Sequence, residues 1–235
     1  MIALLGIDCA TKPSKTGLAL GELCGEVVRI LRCANGTRDE TPAMIAANWL
    51  NDYDEALIAI DAPLGWPQKM GGVLSVHRAG LPIQAEANQL FRRATDVKIK
   101  ERLNKQPLEV GANLIARTAV AALDMLDQIR RSTKRPIPLA WAPMETERWR
   151  AIEVYPAATR IAHGAPDVGG SLEGLENLLD CSAVLPALMQ SKDAVDAAVC
   201  ALAAADFLCG RAIPPVDHNT ALIEGWIWAP MLGNS

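Results

Sequence analysis

Two short apolar runs, each closed by an aspartate, constrain this chain more than any other feature. Residues 2–8 read IALLGID and residues 56–61 read ALIAID. An unbroken apolar run of that length, with no polar alternation, is the pattern of a strand buried on both faces, as in sheets covered by helices on either side. Each run leaves the core through a carboxylate. In open α/β sheets ligand chemistry gathers at the carboxyl ends of the strands. Asp8 and Asp61 are therefore the first candidate functional residues.

The rest of the chain supplies partners for these strands. Residues 17–20 and 27–34 read as two more strands, with Gly21 and Gly25 punctuating the turn, which suggests an antiparallel meander with the first. Thr41-Pro42 opens a helix, with Thr as N-cap and Pro in the first turn. RAIEVY at 150–155 reads as a fifth strand stopped by Pro156, with Glu153 near its end. Ala112 to Arg131 carries apolar residues at helical spacing. Residues 171–180 and 184–190 read as short helices. Asp193 to Cys209 reads as a long alanine-rich helix ended by Gly210, and Ile223 to Trp228 as a short strand. Residues 63–111, rich in Pro, Gly and charge, are too long for an ordinary loop and are expected to form an insertion with its own helices. The expectation is an α/β fold with a five-stranded mixed sheet flanked by helices. It forms a single domain over 1–235, with a helical insertion after the fourth strand.

Composition removes several functional classes. With 50% hydrophobic and 21% charged residues among 235, the chain is not intrinsically disordered. A net charge of −4 excludes a globally basic nucleic-acid coat but leaves room for local basic patches. The cysteines at 9, 24, 33, 181, 200 and 209 form no CxxC pair and the three histidines are scattered, which argues against zinc and for reduced thiols. No GxxxxGK[ST] loop is present, so a P-loop nucleotide site is absent. The first apolar run is too short for a signal peptide, and no apolar run reaches 18 residues, so a cytoplasmic protein without a membrane span is expected.

Asp193 and Asp196 stand three apart at the start of the last long helix and so face the same way. Together with Asp8, Asp61 and Glu153 they bring up to five carboxylates toward one sheet edge. Converging carboxylates repel one another and raise their own pKa values unless a cation offsets the charge. An all-oxygen donor set selects Mg²⁺ or Mn²⁺. Two such ions can activate water and stabilise a leaving oxygen in phosphodiester hydrolysis without a nucleophilic side chain. A basic segment adds phosphate-binding candidates: Arg92, Arg93 and Lys98 stand within a run of six basic residues from 92 to 105.

The strand order and acid positions resemble the RNase H-like fold, and Gly6-Ile-Asp8 with Asp193-Ala-Val-Asp196 resembles the bacterial Holliday-junction resolvases. A closer resemblance is to the domain of unknown function 429 family, predicted RNase H-like nucleases. It is carried by GIDCA at 6–10, IAIDAPLG at 58–65, RRATD at 92–96, IEVYP at 152–156, KDAVDAAVCAL at 192–202 and IEGWIWAP at 223–230. The resemblance implies metal positions at Asp8, Asp61, Asp193 and Asp196, with Glu153 as a further catalytic acid. It singles out Arg93 and Asp96 beside Arg92 and Lys98 for substrate binding. The expected function is a metal-dependent nuclease acting on DNA or RNA, with a homodimer suggested by the resolvases. The alternative is a non-catalytic RNase H-like module that binds nucleic acid or a protein. A sugar-kinase-like phosphotransferase would need two such cores, which 235 residues do not provide.

Overall fold

The computed structural model describes residues 2–111 and 115–232. The first apolar run is β1 (Ile2–Asp8), followed by a 3-10 turn at Pro13–Lys15, β2 (Gly17–Cys24) and β3 (Val27–Asn35). Next come α1 (Pro42–Leu50) and β4 (Glu55–Asp61). The segment 63–111 carries three helices: α2 (Gln68–Val76), α3 (Ala87–Phe91) and α4 (Ala94–Leu103). Then follow α5 (Ile115–Thr133), β5 (Trp149–Glu153), α6 (Pro156–Ala162), β6 (Leu179–Asp180), α7 (Leu185–Leu188), α8 (Lys192–Leu208) and α9 (His218–Glu224). The expected start of the fifth helix at 112–114 lies outside the described residues.

The sheet order is β5-β4-β1-β2-β3-β6. β1 runs antiparallel to β2 and parallel to β4, and β4 runs parallel to β5. This is the expected α/β arrangement with a mixed sheet flanked by helices, with six strands among the described residues rather than five. The sixth is the two-residue β6, paired in parallel with β3.

Two apolar layers sandwich the sheet. On one face Leu4, Leu57 and Ile152 pack under α8. On the other, Leu5, Ile58 and Ala151 pack against α1 and α5. This double coverage explains why β1 and β4 are apolar without alternation. Strand alternation therefore sends Asp8 and Asp61 toward the α8 face, with residues 4 and 57, and Glu153 toward the opposite face, with Ala151.

Two expectations are corrected. Residues 171–180 form turns and β6 rather than a helix, because Gly174 adopts φ 79°, a left-handed conformation that interrupts helical propagation. Residues 223–228 are not a strand. They hold the end of α9 and a single bridge between Ile227 and Glu153. Pro156 does end the strand region, but it also starts α6, where a missing N–H at the first helical position is harmless.

Candidate active site

The site is built where β1, β4 and α8 meet. Asp8 and Asp61 are register partners on adjacent parallel strands. Helix α8 crosses directly above them because two glycines leave no side chain in the way. A Cβ at Gly6 would lie 1.9 Å from the Ala197 carbonyl oxygen, and one at Gly17 would lie 2.1 Å from that of Asp193. Any larger residue would push the helix off the sheet. Ser191 caps α8 by accepting from the Ala194 N–H at 3.2 Å, which fixes where the helix begins. Cys200 reaches the Ile7 carbonyl at 3.6 Å, and Asp196 and Asp193 lie on the same stripe one and two turns earlier. Helix α8 thus delivers both acids over the end of β1.

The four aspartates do not share one state. Asp196 is engaged: Arg160 donates to its Oδ1, and the Gly170 N–H donates to the same atom at 2.8 Å. Arg160 is itself 2% exposed and also donates to the Ser171 carbonyl. Asp193 accepts from Asn35 Nδ2 at 3.3 Å. Asp8 and Asp61 have no hydrogen-bond or ion-pair partner among the described residues. Burial, then Asp196 and Asp193, push the Asp8 carboxyl up to about 7, against a smaller opposing pull from Lys192 and Arg160. Burial, then Asp8, Asp196 and Glu153, push Asp61 well above the carboxylate range. The neighbouring Cys9 thiol is pushed up to about 12 by burial, Asp61 and Asp8, so it stays protonated and unreactive.

Among the described residues no three Asp, Glu, His or Cys side chains form a ready metal cage. The donor chemistry nonetheless fits a hard divalent cation at Asp8 and Asp61. Both are unpartnered oxygen donors, and both are raised by burial and by neighbouring aspartates, a shift that a cation would reverse.

The family model described as "Protein of unknown function (DUF429)" matches residues 6–221. The chain belongs to the DUF429 family. No curated protein matches it in sequence. It is similar to the solved structure of T. thermophilus RuvC in complex with a Holliday junction substrate. The identity is 13% and the TM-score 0.40, with 92% of this chain and 100% of that chain covered.

In this DUF429 protein the fifth expected acid stands apart. Glu153 is 3% exposed and is locked to Arg93. Arg93 Nη2 donates to its Oε1 at 2.7 Å and Nη1 to its Oε2 at 2.9 Å, and the Leu64 N–H also donates to Oε2 at 3.0 Å. Asp96 takes the other side of the guanidinium, accepting from Nε at 3.3 Å and from Nη2 at 3.0 Å. The remaining Nη1 proton goes to the Glu224 carbonyl at 3.1 Å. A guanidinium has five N–H donors, and all five are engaged. Arg93 is 1% exposed and Asp96 fully buried, so both are occupied by the protein itself. They tie α4 to the end of β5. Burial raises Glu153, and the pull of Arg93 and the Leu64 N–H lowers it only part of the way back.

The two other basic candidates do face solvent. Arg92 pairs with Glu109 at 2.9 Å and Lys98 with Glu101 at 3.7 Å, both partly exposed. Sequence reasoning missed Arg160, which lies on a helix it did not foresee, 36 residues before its partner Asp196. It also missed the double cap made by Glu224, whose carboxylate accepts from the Gln68 N–H at 2.8 Å and the Ala94 N–H at 2.7 Å. That single acid fixes the starts of α2 and α4, where unpaired N–H groups favour negative charge.

Proposed function

We propose that the edge formed by Asp8, Asp61, Asp193 and Asp196 is the active site of a metal-dependent nuclease that hydrolyses phosphodiester bonds. One observation carries the reading. Asp8 and Asp61 stand side by side, unpartnered, at the ends of two buried strands, with pKa values raised by burial and by neighbouring aspartates. Leaving two carboxylates in that state lowers stability, and the buried structural acids Asp96 and Glu153 are not left so.

A bound Mg²⁺ or Mn²⁺ supplies charge for the phosphate oxygens and lowers the pKa of water. The chain's own residues do the rest. Asp8 and Asp61 hold the cation. Arg160 and Gly170 fix Asp196, and Asn35 fixes Asp193, so the helix acids are oriented before substrate arrives. Once ionised, the four aspartates outnumber Arg160 and Lys192 beside them, an excess of negative charge that divalent cations offset. The two-ion scheme read from the sequence belongs to the same proposal, with Arg160 supplying fixed positive charge beside the acids.

Titration calorimetry with Mn²⁺ tests this directly. The expected result is Mn²⁺ binding by the wild type and loss of both binding and cleavage in Asp61→Asn. Absence of Mn²⁺ binding, with nucleic acid still bound, establishes the non-catalytic module instead. Nucleic acid as partner, a cytoplasmic location and a homodimer belong to the same proposal. Sedimentation reads the oligomeric state separately. Among the described residues no helix is long and apolar enough to cross a membrane, and the six cysteines are free.

A further inference from the structure

Beside the aspartate pair lies a cavity of about 190 Å³ that the acid chemistry leaves unexplained. Asp61 forms part of its wall. Its other walls are mostly apolar: Pro63, Pro107, Leu108, Ile115, Ile227 and the ring of Tyr155. Leu108 is 65% exposed and so stands at the mouth.

Size narrows the occupant. The volume is several times the roughly 30 Å³ of a water molecule and below the ~300–1,000 Å³ of pockets that take drug-sized ligands. It suits one ring system. Polarity narrows it further. Arg93 and Glu153 also line the cavity, but the five N–H groups of Arg93 are committed, and both Glu153 oxygens are taken by Arg93 and Leu64. The Cys9 side chain also lies in the wall. Among the described lining residues Asp61 is the carboxyl without a partner. The occupant is therefore an uncharged flat ring whose attached group reaches Asp61.

We propose that this cavity receives a single unstacked nucleobase whose own phosphate then lies at the Asp8–Asp61 pair. The proposal rests on the nuclease reading and deepens it, because a base held in a duplex stack does not reach a pocket of this kind. The substrate is thus a single strand or a locally unpaired segment. Recognition is by shape and by stacking on Tyr155, so base presence matters more than base identity.

The test compares the affinity of the full-length protein for a five-nucleotide single strand and for an abasic strand of equal length and charge. Wild-type protein is expected to prefer the base-bearing strand at least about tenfold, as loss of one stacked base predicts, and the same sequence as a duplex is expected to bind no better than the abasic strand. Leu108→Trp, at the exposed mouth, is expected to fill the cavity and erase the preference without changing Mn²⁺ binding. Equal wild-type affinity for both strands overturns the proposal without reference to any variant. A preference that survives in a folded Leu108→Trp protein also overturns it. Cleavage separates this proposal from the reading beneath it. Equal cutting of strands with and without bases removes the pocket and keeps the nuclease. Base-dependent binding without cutting removes the nuclease and keeps the pocket.

Discussion

Two groups of carboxylates sit within one strand of each other at the same sheet edge, and they are handled in opposite ways. Asp61 ends β4 beside Asp8, and neither has a partner among the described residues. Glu153 ends the adjacent β5, and its oxygens are saturated by a guanidinium and a backbone N–H. The second group shows that this fold can bury and satisfy an acid at that edge. The bareness of the first group is therefore a property of that place, and strand alternation separates the two by sending them to opposite faces. A satisfied buried network adds rigidity, whereas unpaired neighbouring charges lower stability in favour of function.

Breaking the satisfied group should have the larger effect. Arg93→Met keeps the volume but leaves Asp96 and Glu153 buried without a counter-charge. We expect a loss of about 3–5 kcal/mol, the cost of removing one partner of a buried ion pair, read by denaturant unfolding. A loss below about 1 kcal/mol, the range of an exposed pair, would show that water replaces the guanidinium and that the network does not hold α4 on the sheet.

The bare group should respond with the opposite sign. The native Asp8 carboxyl titrates at about 7 instead of the usual 3.8, so the folded protein binds its proton more tightly than the unfolded chain. Stability from this group is full below about pH 4 and falls as pH rises to about 7. The loss is up to about 4 kcal/mol at about 1.4 kcal/mol per pH unit. Asp61 is shifted in the same direction. Metal-free protein is therefore expected to melt at lower temperature at about pH 8 than at about pH 5. Saturating Mn²⁺ should flatten the profile, because a cation favours the ionised acids, and Asp8→Asn should flatten it by removing the charge. A wild-type melting temperature independent of pH over this range would contradict the repulsion.

Asp8 and Asp61 were legible in the sequence because a buried strand must end somewhere, and an acid at the end of an apolar run marks the place. The helix pair Asp193 and Asp196 was legible from spacing alone. The state of each acid was not. Glu153 and Arg93 are 60 residues apart and Arg160 and Asp196 are 36 apart, and nothing in local pattern links residues that meet only in the folded chain. Glu153 looked equivalent to Asp61 because both close an apolar strand. A one-residue difference in phase put it on the other face. The SLEGLENLLD segment at 171–180 has apolar spacing suited to a helix, but a single glycine at positive φ outweighs that spacing. The same limit hid the sixth strand, since two residues carry no periodicity to read.

The smallest expected effect is on the basic segment, where one arginine is structural and its neighbour is not. Arg92 and Lys98 form partly exposed pairs with Glu109 and Glu101. Such pairs contribute about 0–1 kcal/mol, so Arg92→Ala and Lys98→Ala should fold and melt nearly as the wild type does. Their contribution should show in binding. Removing one phosphate-binding cation is expected to reduce the slope of log affinity against log salt by about 0.7 for a single strand. Arg92→Ala and Lys98→Ala together should therefore lower it by about 1.4, with Mn²⁺ affinity unchanged. An unchanged slope would mean that the segment's charge is taken up by its own glutamates, and that phosphates are held at the acid edge alone.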